Sequence, residues 1–96
     1  MIKNSRVAII IVNWKKYNMT ANCIESVTKC NYPNYEIILV DNESDTSKVS
    51  KFKYRKNVKT ILNSKNEGFS KANNQGIEYA IKNNFDYILL LNNDTT

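Results

Sequence analysis

Ile37-Ile38-Leu39-Val40-Asp41-Asn42 is a run of four consecutive apolar residues that ends on two polar ones. Three more runs of this kind lie at 7–13, 58–63 and 87–94, and each ends on Asn or Asp. Apolar residues at consecutive rather than alternate positions are typical of strands covered on both faces, as in parallel sheets between helix layers. The pattern therefore predicts four parallel strands.

The polar ends of parallel strands lie along one edge of the sheet, which is where ligands bind in open α/β folds. The last run ends in Asn92, Asn93 and Asp94, whose oxygen atoms suit a metal-bound or hydroxyl-rich ligand. Asn and Asp also start turns, and at any single strand end that explanation is equally good. It accounts less well for all four ends together.

Helical spacing between the runs predicts three crossover segments. The first begins near Thr20, a candidate N-cap, and the last covers 70–84. The middle segment, 43–57, has only Val49 and Phe52 on a helical stripe, so we expect a short surface crossover. The resulting α/β fold is doubly wound, with helices on both faces of the sheet. One face of the last helix is expected to carry Ala72, Gly76, Ile77, Ala80 and Ile81.

Composition excludes several classes of function. The chain of 96 residues has 14 Lys and Arg against 9 Asp and Glu, a net charge of +5. No block of five like charges occurs, so we interpret the excess as a solvated surface and expect no nucleic-acid partner. Cys23 and Cys30 are too far apart for a Cys-x-x-Cys motif, and the chain has no His for a zinc site.

Localisation and cofactor class follow from absent patterns. No signal peptide or membrane-spanning run is evident, so we expect a cytoplasmic protein. The two glycines, Gly68 and Gly76, do not follow the first run, which excludes a Gly-rich phosphate loop of the dinucleotide-binding or P-loop kind.

Two longer blocks carry a family resemblance. They are Tyr32-Pro33-Asn34-Tyr35-Glu36-Ile37-Ile38-Leu39-Val40-Asp41-Asn42-Glu43-Ser44-Asp45 and Asn66-Glu67-Gly68-Phe69-Ser70-Lys71-Ala72-Asn73-Asn74-Gln75-Gly76-Ile77. With Val12-Asn13-Trp14 before them and 86–95 after them, their order and spacing resemble the opening of family 2 glycosyltransferases, which have the Rossmann-like GT-A fold. The subgroup resembled is rhamnosyltransferase-like enzymes that build bacterial surface polysaccharides. By this analogy the sheet order is 3-2-1-4.

The resemblance implies a nucleotide-diphosphate sugar as the donor. Its binding residues would be Asn13, Trp14, Asp41, Asn42, Gly68, Asn74, Asn92 and Asn93. Trp14 would stack on the base, although a core or lid aromatic is an equal alternative. Asp41 would accept hydrogen bonds from the base or ribose, the alternative being a turn-forming role.

The loop before the last helix has two possible explanations. Gly68 would let the loop turn close to the donor, and Asn74 would tie the loop to the pocket. An ordinary turn preceding a Ser70 cap is equally compatible with these residues.

Asp94 is the expected metal ligand. The family carries an Asp-x-Asp motif where this chain has Asn92-Asn93-Asp94, so Asp94 is the one carboxylate left to hold Mg²⁺ or Mn²⁺ beside the donor diphosphate. Asn92 would instead contact the ribose.

The family places its catalytic base after the metal motif, and this chain ends two residues after Asp94. We therefore expect 1–96 to be the N-terminal nucleotide-sugar-binding part of a longer domain, truncated after the motif and inactive alone. The full-length enzyme would act by inverting transfer, with an unidentified glycan or lipid-linked acceptor, peripherally at the inner membrane face. The alternative is a non-catalytic nucleotide-binding or assembly fragment. As an apolar edge strand, 87–91 would pair with a second copy.

Overall fold

The computed structural model describes residues 5–93. Its elements are β1 (Val7–Trp14), α1 (Tyr17–Thr28), β2 (Tyr35–Asn42), α2 (Thr46–Lys53), β3 (Val58–Leu62), α3 (Phe69–Lys82) and β4 (Tyr87–Leu90). The four strands are parallel and lie in the order β3-β2-β1-β4. Both the α/β class and the predicted strand order are confirmed.

The two central strands, β1 and β2, are covered on both faces. Ile37 and Leu39 lie in a core with α1 and α2, whereas Ile38 and Val40 lie in a second core with α3. All four side chains are fully buried. Consecutive apolar residues are needed here because successive side chains of a strand point to opposite faces.

The first helix starts earlier than its predicted N-cap, Thr20. It begins at Tyr17 after Lys16, which makes no side-chain cap, and Thr20 is buried in its first turn. The prediction was wrong because the Tyr17 hydroxyl bonds to the end of β2, which draws this residue into the packed turn. The short second helix is as expected, with Val49 and Phe52 buried.

The third helix lies close against β1. An added Cβ at Gly76 would be 2.7 Å from Cγ2 of Ile10, so only a residue without a side chain permits this approach. Ala72 and Ala80 are buried on the same face, but Ile81, predicted to share it, is exposed. The helix begins at Phe69 after an N-cap at Gly68, so Ser70 is not the cap.

The fourth strand is the edge of the sheet, paired to β1 alone among the described strands. All four of its residues are exposed. An apolar groove of about 720 Å³ lies between this strand and α1, with Cys23, Val27 and Leu89 among its lining residues. Within residues 5–93, no helix has the length and apolarity needed to cross a membrane.

Candidate functional site

The carboxylate of Asp41 is the centre of a buried network at the end of β2. Asn13 is its register partner on β1 and donates from Nδ2 to Oδ1 at 2.9 Å. The Tyr17 hydroxyl and the Ser44 Oγ donate to Oδ2 at 2.7 and 2.8 Å. Asp41 is fully buried, so protein donors, rather than solvent, satisfy its charge. Because Asp41 has no exposed surface, a ligand could contact this carboxylate only after a neighbouring group moved.

The same network reaches the end of β4. The Thr20 hydroxyl donates to Oδ1 of Asn13 at 2.6 Å, and Nδ2 of Asn93 donates to the Thr20 oxygen at 3.2 Å. Asn93 thereby contacts the buried network through a side chain that comes from α1. The ends of β1, β2 and β4 are thus held together by hydrogen bonds between side chains.

Tyr17 supplies the network with a proton that it retains at neutral pH. Burial raises the pKa of the Tyr17 phenol above its ordinary value of 10.0, and the hydrogen bond to Asp41 raises it further. The backbone N–H of Asp45 donates to the phenol oxygen at 3.0 Å and lowers the pKa in part. The hydroxyl is therefore a permanent donor to Asp41.

A second network lies on the α3 side of the sheet, around the buried side chain of Asn42. Its Oδ1 accepts from Nδ2 of Asn63 at 2.9 Å, and its Nδ2 donates to the carbonyl of Gly68 at 3.4 Å. Asn63 also exchanges two hydrogen bonds with Gln75, at 2.7 and 2.9 Å. Asn42 and Gln75 therefore hold the loop before α3, while Asn74, predicted to tie this loop, is exposed.

Gly68 has the unusual backbone conformation that the predicted turn requires, and its closeness to a donor stays a prediction. Its φ is +87°, a region that L side chains rarely adopt, and an added Cβ would have no atom within 4 Å. The backbone angle, rather than close packing, therefore calls for glycine here. Because Gly68 is the N-cap of α3 and its carbonyl accepts from Asn42, the N-terminus of α3 lies near the end of β2.

A third group of side chains, Trp14, Lys15 and Glu43, is exposed. Nε1 of Trp14 donates to Oε1 of Glu43 at 3.0 Å, and the Lys15 ammonium is 3.5 Å from Oε2. The same ammonium lies 5.4 Å from the centroid of the Trp14 ring. Trp14 is 47% exposed, which excludes the core-aromatic alternative. The hydrogen bond from Trp14, and then the charge of Lys15, lower the pKa of Glu43.

A basic groove of about 610 Å³ adjoins this exposed group, between the first turns of α1 and α2. Half of the described residues that line it are lysines, and none is acidic. They are Lys15, Lys16, Tyr17, Asn18, Met19, Ser47, Lys48 and Lys51. Four lysines beside the N-terminus of α1 favour anions in this groove, while the N-terminus of α2 is already capped by the Asp45 carboxylate.

The metal prediction on Asp94 lies outside the described residues. Asn92 is exposed after the end of β4, and Asn93 is partly buried. Among residues 5–93 no three His, Cys, Asp or Glu side chains are grouped as metal ligands. Amide and carboxylate oxygens are hard ligands, so the donor types of Asn92, Asn93 and Asp94 fit Mg²⁺ or Mn²⁺.

The sequence model of glycosyl transferase family 2 matches residues 8–96, nearly the whole chain. The chain belongs to this family. An uncharacterised glycosyltransferase of Rickettsia bellii is 31% identical over 96 residues, and one of Rickettsia felis is 30% identical. Both alignments cover 98% of this chain, which spans only 14% and 15% of those two proteins.

Two solved structures confirm the GT-A fold. The mannosyltransferase PcManGT from Pyrobaculum calidifontis, in complex with GDP-Man and Mn²⁺, superposes with a TM-score of 0.79 at 16% identity. TarS from S. aureus superposes with a TM-score of 0.72 at 22% identity. Each covers 93% of this chain, which in turn covers 27% of the first structure and 16% of the second.

The structure of this family 2 chain brings together site residues that the sequence analysis missed. Tyr17 and Thr20 contact Asp41 and Asn13, and Gln75 contacts Asn63. Tyr17 and Thr20 are three residues apart directly after β1, a spacing that places both on one helix face. That spacing was the available signal, whereas the pairing of Gln75 with Asn63 depends on how α3 is oriented.

Proposed function

We propose that this part of the chain binds a nucleotide-diphosphate sugar, and that the complete protein transfers the sugar to an acceptor with inversion. The observation that carries the proposal is an exposed indole at the carboxyl edge of the sheet, beside a groove lined by four lysines. An aromatic face suits a nucleobase, and ammonium groups suit a diphosphate. Membership of glycosyl transferase family 2 supports the same donor class.

The buried networks supply a rigid frame for that donor. Asp41 and Asn42 hold the ends of β1 and β2 and the Gly68 loop through hydrogen bonds within the protein. We propose that Trp14 contacts the base directly, and that Asn13 and Asp41 act by fixing the strand ends around it. Preorganised surroundings lower the entropy that a ligand loses on binding.

A divalent cation completes the proposed donor site. Asp94 would hold it, Asn92 would contact the ribose, and Asn93 is anchored to Thr20. Bound there, Mg²⁺ or Mn²⁺ would neutralise charge on the leaving nucleotide. The Mn²⁺ and GDP-Man in the mannosyltransferase of the same fold support this choice of ligands.

The resemblance to rhamnosyltransferase-like enzymes supports three finer proposals. They are a uridine or thymidine diphosphate sugar as donor, an acceptor in surface polysaccharide synthesis, and a cytoplasmic location at the inner membrane face. Fractionation of cells that express the tagged complete protein tests the location, and recovery outside the cytoplasmic and membrane fractions would contradict it. Incubation of the complete protein with UDP and dTDP sugars tests the donor, and tight nucleotide binding without release of any sugar would favour the non-catalytic alternative.

Titration calorimetry tests donor binding by the chain itself. UDP, dTDP, GDP and ADP are titrated with and without Mn²⁺, and we expect at least one to bind, more tightly with the metal. Asp94→Asn should abolish the enhancement by Mn²⁺ and retain metal-free binding. Asp86→Asn, at the opposite end of β4, is the matched control. Equal enhancement in wild type and Asp94→Asn would remove Asp94 from the site, and no binding by any diphosphate would contradict the function.

A further inference from the structure

Two residues of the exposed group formed by Trp14, Lys15 and Glu43 have strained backbone conformations. Lys15 follows β1 with a φ of +61°, and Glu43 follows β2 with a φ of +51°. Left-handed backbone is uncommon for residues other than Gly, Asn and Asp, and such strain is concentrated at functional sites. The two strained residues are next to register partners of adjacent strands, Trp14 and Asn42, which brings their side chains together.

The contacts of this group restrict one ring. Glu43 accepts the indole N–H at 3.0 Å with one carboxylate oxygen and holds Lys15 at 3.5 Å with the other. The ammonium is 5.4 Å from the ring centroid, where it is attracted by the π-face. An exposed ion pair contributes little stability by itself. The arrangement therefore does more for the orientation of Trp14 than for the stability of the fold.

We propose that Glu43 is a positioning residue that holds Trp14 so that Lys15 covers one face of the indole and a nucleobase stacks on the other. This inference rests on the proposed function and specifies how the base is recognised. Because the indole N–H is already donated to Glu43, recognition through Trp14 uses the ring face alone. Stacking of this kind is tolerant of base identity. Selection between bases must then come from groups other than Trp14.

The chain offers a direct probe, because Trp14 is its one tryptophan. Fluorescence anisotropy of the free chain reports the mobility of the indole, and quenching by added UDP reports stacking. Glu43→Gln keeps an oxygen that accepts the indole N–H, whereas Glu43→Ala removes it. Glu25→Ala is the matched control, since Glu25 is also an exposed acid but its ion pair is with Arg55 rather than with Lys15.

We expect Glu43→Ala to lower the anisotropy of free Trp14 and to weaken UDP binding about tenfold, near the lower end for a lost base–aromatic stack. Glu43→Gln should largely restore both readouts, and Glu25→Ala should change neither. In a Trp14→Phe background, followed by calorimetry, Glu43→Ala should no longer change the affinity, because Phe has no N–H to position.

The outcomes separate this inference from the proposed function. If wild type binds UDP and both Glu43 variants match it in affinity and anisotropy, the positioning role of Glu43 is overturned. An equal loss in Glu43→Gln and Glu43→Ala would also overturn it, because the acceptor oxygen would then be irrelevant. If UDP, dTDP, GDP and ADP all fail to bind wild type, the proposed function falls, and the ligand named here falls with it.

Discussion

Strands β2 and β4 have similar sequences and opposite environments. Each is an apolar run followed by Asn or Asp, yet the side chains of Ile37–Val40 in β2 are fully buried and those of Tyr87–Leu90 in β4 are exposed. The polar end of β2 is enclosed by hydrogen bonds, whereas Asn92 after β4 is exposed. The same sequence pattern therefore forms either a buried strand or an exposed one, according to the position of the strand in the sheet.

The same substitution in both strands should give the largest contrast. Leu39 is fully buried and Leu89 is 50% exposed. Leu39→Ala should lower the free energy of unfolding by about 3 kcal/mol, because it leaves a cavity between the sheet and the layer formed by α1 and α2. Leu89→Ala should cost less than about 1 kcal/mol, since much of the side chain is already in water. Urea denaturation followed by circular dichroism measures both, and similar losses would contradict the contrast.

The next largest loss of unfolding free energy is expected at the polar end of β2. Asp41→Ala leaves buried donors of Asn13 and Tyr17 without their acceptor, and should cost about 3 kcal/mol of unfolding free energy. Glu78→Ala, an exposed acid on α3, is the control and should change stability by less than about 0.5 kcal/mol. A stable Asp41→Ala that loses only nucleotide affinity would instead make Asp41 a direct ligand of the donor.

Removal of one hydroxyl from the same network should cost somewhat less. Tyr17→Phe deletes the donor to Oδ2 of Asp41, and we expect a loss of about 2 kcal/mol, typical of a hydrogen bond to a charged group. Tyr79→Phe is the matched control, because its hydroxyl bonds to Glu36 at a longer distance, 3.3 Å. Equal losses of unfolding free energy in the two variants would show that the Tyr17 hydrogen bond contributes no more stability than the Tyr79 one.

High pH sharpens the Tyr17 comparison. The folded-state pKa of Tyr17 lies above the ordinary 10.0 because of burial, so the neutral phenol is favoured by folding. That stabilisation is complete below pH 10 and is lost as the pH rises through the folded-state pKa. The pKa of Tyr79 is also raised, by burial and then by Glu36. Wild type should thus lose stability above pH 10, and Tyr17→Phe should lose less of it over the same range.

The smallest expected free-energy change is that of self-association through the exposed edge strand β4. An exposed apolar edge strand is a template for another chain, so we predict weak self-association through 87–91. Ile88→Lys should make the chain monomeric by light scattering, because an edge lysine opposes pairing. Ile81→Lys, on an exposed site of α3, should leave the association unchanged. A wild-type monomer at high concentration would reject the prediction.

Local patterns were enough to predict the strands and the short second helix. Val49 and Phe52 identified that helix because two apolar residues three apart must share a face. The start of α1 could not be predicted in this way. Thr20 has the local character of an N-cap, but α1 begins at Tyr17, whose hydroxyl bonds to Asp41 at a separation of 24 positions that a local pattern does not reveal.

The sequence by itself determined the class of fold, the order of its elements and the edge where the polar strand ends meet. These depend on apolar periodicity, which is a property of neighbouring residues, and on the right-handed crossover that nearly all parallel β-α-β units share. Only the tertiary structure decided that Asp41 and Asn42 are enclosed while Trp14 is exposed to solvent. The physical reason is that hydrogen-bond partners are set by strand register and helix placement, which bring Asn13, Tyr17 and Ser44 to one buried carboxylate.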